Sequence, residues 1–189
     1  MRFVNFAMLF IVYSLIGSIG ETIICYFDFK KIVHRGFMIG PFCPIYGFGG
    51  LISYFISLYV KNIFLFFLIS ILIISVLEYF TSFIMEKLFN ARWWDYSKEK
   101  YNLNGRICLS KIFQFGILSV ISVYLVNPIL IINIYKIPDY VSYFIISLFL
   151  IDFVLCFLIV SRFKIKKLNE KDSTEEISEM VKDSILEKD

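Results

Sequence analysis

Five apolar stretches of about 20 residues dominate the chain: Phe3 to Phe27, Phe42 to Val60, Ile63 to Met85, Ile112 to Ile134 and Val141 to Val160. About 20 apolar residues is the length at which a helix crosses roughly 30 Å of hydrocarbon. Backbone facing lipid must satisfy its own hydrogen bonds, and these runs lack the alternation of a barrel strand, so each run predicts a helix. With 59% hydrophobic residues, 19% aromatic residues and a mean hydropathy of +0.76, the 189-residue chain carries more apolar surface than one soluble core of its length would bury. The fold class that follows is an all-α integral membrane protein with five transmembrane helices. Arg2 before the first run mimics the start of a signal peptide. The run is too long for one, however, and Asp28, Lys30 and Lys31 follow it where a small-residue cleavage site would stand, so this helix is expected to stay in the mature chain.

Alternating the connecting loops between two faces places Arg2, Lys61 and Lys136 on one face and the other 16 of the 19 Lys and Arg residues on the opposite one. The positive-inside rule makes the crowded face cytoplasmic, with the N-terminus outside and the C-terminus inside. Residues 1–161 form the transmembrane domain in this reading, and 162–189 a charged cytoplasmic tail. The tail begins basic, suited to anionic head groups, then turns acidic. There Ser173 and Glu176 form a capping box ahead of Ile177, Met180, Val181 and Ile185. A short amphipathic helix and a solvated tail both fit that pattern. Cys25, Cys43, Cys108 and Cys156 form no CxxC pair and lie in or near spans at the inner face, which points to reduced, buried thiols.

Three carboxylates fall inside the spans. Glu21, Glu78 and Asp152 stand six, seven and eight residues before the inner ends of their helices, about 9 to 12 Å deep at 1.5 Å per residue. Isolated carboxylates at that depth are costly, so they are expected to face the bundle interior or a wet cavity and to find partners. Arg35, Arg92, Arg106, Lys111 and Gln114 lie on the same side as candidates.

Two inner-face segments interrupt the apolar pattern. In HRGFMIGPFCPIYGFGG (34–50), Gly36 and Gly40 permit unusual backbone angles, while Pro41 and Pro44 remove donors. An irregular Gly/Pro segment before the second helix is expected, re-entrant and covered by protein, contributing Cys43 and Tyr46 to a cavity wall. Gly47, Gly49 and Gly50 then allow close helix approach. In the second segment Trp93, Trp94, Tyr96 and Tyr101 suit the head-group level, and Asp95, Asn102, Asn104 and Arg106 are placed to hydrogen-bond to the first loop. Glu86 completes the candidate binding residues.

The strings RGFMIGPFCPIYGFGG, LEYFTSFIMEKLFNARWWDYS and NLNGRICL, in this order and spacing, resemble the bacterial membrane proteins called ABC-transporter type IV, or CmpB-like, permeases. The resemblance runs from about Gly17 to Pro128. His34 departs from it, standing where Asn is expected before the Arg-Gly pair. What the resemblance implies is a permease subunit of the bacterial plasma membrane. The chain contains no G-x-x-x-x-G-K-[ST] phosphate loop, so a separate ATPase on the cytoplasmic face is expected, in a homo-oligomer or hetero-complex. Abundant Phe, Ile, Lys, Asn and Tyr fit an AT-rich bacterial genome. A non-catalytic membrane partner is the first alternative. The second is an enzyme acting on lipid head groups, with Glu21 or Glu78 as base and arginines clamping phosphate. A lone His34 provides no metal set, and Cys43 has no evident base. No cofactor, metal or nucleic-acid partner is expected.

Overall fold

The computed structural model describes residues 2–29, 37–89 and 92–162. His34, Arg35, Gly36, the side chain of Cys25 and the tail helix around Ser173 lie outside the described residues. The elements are α1 (Phe3–Phe29), α2 (Pro44–Tyr59), α3 (Ile63–Phe89), β1 (Asn102–Leu103), β2 (Ile107–Cys108), α4 (Leu109–Ile121), a π-helical turn (Ser122–Val126), α5 (Asn127–Ile134) and α6 (Asp139–Arg162).

Among the described residues, four helical stretches are long and apolar enough to cross a membrane: Phe3–Ile23, Ile63–Phe89, Leu109–Ile134 and Asp139–Ser161. The third of these joins α4 to α5 through the π turn. Pro128 explains the turn, because it lacks an N–H and its ring crowds the carbonyl four residues back. Asn127 N–H accordingly reaches back five residues to the Ser122 carbonyl. Outward residues such as Leu72, Leu125 and Phe144 are large, apolar and exposed, as a lipid-facing surface requires. Serine and threonine side chains inside the helices, including Ser14, Ser53 and Thr81, return their hydroxyls to their own helix carbonyls.

α2 has 16 residues, about 24 Å of helix, and begins deep in the bundle. Phe37 wedges against Phe89, Trp93 and Phe153. From there the non-helical chain runs antiparallel down α6: Ile39 N–H donates to Cys156 Sγ (3.1 Å), Gly40 N–H to Asp152 Oδ2 (3.0 Å), and Phe42 meets Phe149 edge-on. Cys43 N–H then donates to the carbonyl of Ser14, near the middle of α1 (3.1 Å). The amides of Ile39, Gly40 and Cys43 are thus met by other parts of the chain. Gly40 serves by its lack of a side chain: a Cβ there would stand 2.7 Å from Asp152 Oδ2, and its φ is not positive. The expectation from unusual angles is corrected to one of space.

α2 packs antiparallel on α1. A Cβ on Gly17 would strike Tyr46, one on Gly47 would strike Ser14, and one on Gly50 would lie 2.5 Å from the Tyr13 ring. Gly49 has nothing within 4 Å and is not a packing glycine. At the end of the bundle where α1 and α6 begin, Arg2 forms a two-pronged pair with Asp139 (2.7 and 2.8 Å). At the opposite end, β1 and β2 form a hairpin with Asn102 opposite Cys108 and Leu103 opposite Ile107. The sequence reading had no strand here. Asn104 (φ +55°) and Gly105 (φ +68°) form the two-residue turn, and Arg106 N–H closes it on the Leu103 carbonyl at 3.0 Å.

Candidate binding site

A cavity of about 290 Å³ opens between α1, α2, α3, α4 and the loop that precedes the hairpin. Glu21, Cys43, Tyr46, Glu78, Trp93 and Trp94, all singled out from sequence, share its wall with Tyr13, Tyr96, Phe115, Ser119 and Ser122. It exists because Gly49 and Gly20 leave open space along α2 and α1, while Gly17 lets Tyr46 lean across. The Tyr46 hydroxyl donates to Glu21 Oε2 at 3.1 Å. Glu78 is only 3% exposed, and its Oε2 has no hydrogen-bond partner among the described residues. Tyr96 stands beside it. Burial, together with the Glu78 and Glu21 carboxylates, pushes the Tyr96 phenol above its usual value, so it stays a neutral donor aimed at negative charge.

Asp152 does not join these two carboxylates. It caps Gly40 N–H from α6 and accepts from Cys156 Sγ at 3.5 Å. The expected layer of three acids is therefore a pair, with the third acid holding the re-entrant segment. Depth along a helix is readable from sequence, but the direction a residue faces is set by packing.

Arg92 and Arg106 are also placed otherwise than expected. Arg106 pairs with Glu86 Oε2 and donates to Ser82 Oγ (3.2 Å), while Arg92 Nε reaches Glu86 Oε1 at 3.1 Å. Neither pairs with Glu21, Glu78 or Asp152, so they do not partner the deep carboxylates. Lys111 donates to Gln114 at 3.1 Å. Around the arginines a clasp is built. Trp94 Nε1 donates to the Arg106 carbonyl (2.9 Å), Asn104 Nδ2 to the Tyr79 hydroxyl (3.0 Å), and Gly105 N–H to Asn102 Oδ1 (3.0 Å). Asp95 Oδ1 accepts from Ser97 N–H at 2.9 Å and lies 3.8 Å from Arg92. The clasp folds the loop inward. Trp93 is 8% exposed and packs on Phe89, and both tryptophans line the cavity. Tyr101, by contrast, is 82% exposed.

Tyr13, Tyr96 and Ser122 were missed as wall residues. The Asn-Gly turn and Pro128 were the available signals, the first for the fold of the loop and the second for the distorted helix that presents Ser122. Among the described residues, no group of three or more His, Cys, Asp or Glu gathers as a metal would require. The free cysteines include Cys43 at the wall and the buried Cys108 and Cys156.

No curated protein and no solved structure gives a significant match. The family model described as "Putative ABC-transporter type IV" matches residues 8–160, which extends beyond the sequence motifs into α6. Together with four apolar helices of membrane-crossing length, this places the chain in that family, as a multi-pass membrane protein associated with transport.

Proposed function

We propose that the chain is the permease subunit of a transporter in a bacterial plasma membrane, with the cavity as its cytoplasm-facing vestibule. The observation that carries this reading is a deep chamber walled by four helices and holding a buried carboxylate, Glu78, whose Oε2 has no hydrogen-bond partner among the described residues. Such a group is expensive to maintain unless it serves a passage or a ligand. The chain traverses the bilayer five times, and the second passage is a broken one made of the 37–43 segment and α2. The placement of Lys and Arg sets the N-terminus outside and the hairpin and C-terminus inside. A separate ATPase docks on the hairpin face, because the chain has no phosphate loop of its own. The alternative of a non-catalytic partner protein draws on the same face, where Tyr101 and Leu103 are exposed. An enzyme acting on head groups is disfavoured, since Arg92 and Arg106 are committed to Glu86.

A photo-crosslinking residue at Lys98, beside the hairpin, tests the reading in native membranes. The expected adduct is a P-loop ATPase. A reproducible adduct with a protein lacking that loop overturns the permease reading in favour of the partner reading. An impermeant maleimide on intact cells should label Lys136→Cys and spare Lys98→Cys; the reverse pattern rejects the orientation.

A further inference from the structure

The vestibule's wall is more specific than a polar passage needs. Three of its polar atoms have no hydrogen-bond partner among the described residues: Glu78 Oε2, Tyr13 Oη and Ser122 Oγ. The two hydroxyls lie near each other without reaching hydrogen-bond geometry. Ser122 sits on the π turn, a distortion often kept where a helix must present a group to a site. Trp93, Trp94 and Phe115 supply aromatic wall between these polar points. Lys111, whose charge reaches Glu78, spends its ammonium on Gln114.

We propose that this cavity binds a small amphipathic organic cation, its ammonium pairing with Glu78 and its apolar body lying against Trp93, Trp94 and Phe115. The inference rests on the vestibule reading above and names the class of cargo. Charge comes first: a desolvated carboxylate with one oxygen left unpartnered and no ion pair among the described residues favours an occupant that brings its own cation. Aromatic faces reinforce that choice, because ring quadrupoles attract ammonium groups. A volume of about 290 Å³ lies at the lower edge of the roughly 300–1,000 Å³ typical of ligand pockets, so the occupant is small. Tyr13 and Ser122 give it a second polar anchor, away from the charge.

The chain contains 2 Trp, and both line this wall, so their fluorescence reads occupancy directly. The purified full chain in lipid nanodiscs is titrated with phenethylamine, with neutral 2-phenylethanol and with anionic phenylacetate. Phenethylamine should give a saturable change, with the other two at least about ten-fold weaker, as expected for loss of a charge-assisted contact. Glu78→Gln should erase that preference while its thermal melt stays cooperative. If that variant does not fold, Ser122→Ala takes its place, with phenethylamine affinity expected to fall about two- to five-fold. Equal response to all three probes, a preference for phenylacetate, or no saturable change overturns the proposal. Because no ATPase is present, failure here leaves the crosslinking result untouched, and failure of the crosslink leaves a measured cation preference standing.

Discussion

Glu78 and Glu86 lie eight residues apart on α3, about 12 Å along one helix, and they illustrate opposite uses of a carboxylate. Glu86 is clasped by Arg92 and Arg106, and the hairpin that delivers Arg106 is held in turn by Asn104, Trp94 and Gly105. Glu78 is more deeply buried and has an oxygen with no partner among the described residues. The first belongs to the architecture that closes one end of the bundle. The second keeps one oxygen unsatisfied among the described residues, a cost of burial that the surrounding fold offsets only in part.

Four substitutions sharpen or break this contrast, each measured as a change in unfolding free energy in detergent. Arg106→Ala should destabilise most, by about 2–3 kcal/mol. That is somewhat below the roughly 3–5 kcal/mol for breaking a fully buried pair, because Glu86 is partly exposed. Glu86→Gln should cost about 2 kcal/mol, since both arginines lose their charge partner. Gly105→Ala should cost about 1 kcal/mol, from a side chain forced to positive φ and crowding Ser97 and Asp95. Glu78→Gln should be neutral or stabilising by about 1 kcal/mol, because it keeps the side chain's shape while removing an acid from a buried setting. Loss of stability there comparable to that of Glu86→Gln would erase the distinction and make Glu78 structural.

Much of this fold was legible from apolar run length. Each marked run overlaps an observed helix, and the irregular stretch before the second helix stands where Gly and Pro cluster. Glu21 and Glu78 line one cavity, a nearness that counting residues from the helix ends suggested. Arg92 and Arg106 were mismatched because two acids of α3 lay within reach, and sequence does not say how far the loop folds inward. The Asn104–Gly105 dipeptide is a strong hairpin signal that the surrounding loop obscured. Asp152 turns toward Gly40, a direction that only tertiary packing determines.

The descending segment from Phe37 to Cys43 also constrains biogenesis. The Cys43 amide is satisfied by Ser14 of the first helix, and those of Gly40 and Ile39 by Asp152 and Cys156 of the last. The Ile39 and Gly40 donors therefore wait for residues synthesised more than a hundred positions later. A ribosome releasing helices one by one into lipid leaves this stretch exposed at the protein–water boundary until the final helix arrives. A chain ending before Asp139 should thus be cut by protease near Gly40 where the full chain resists.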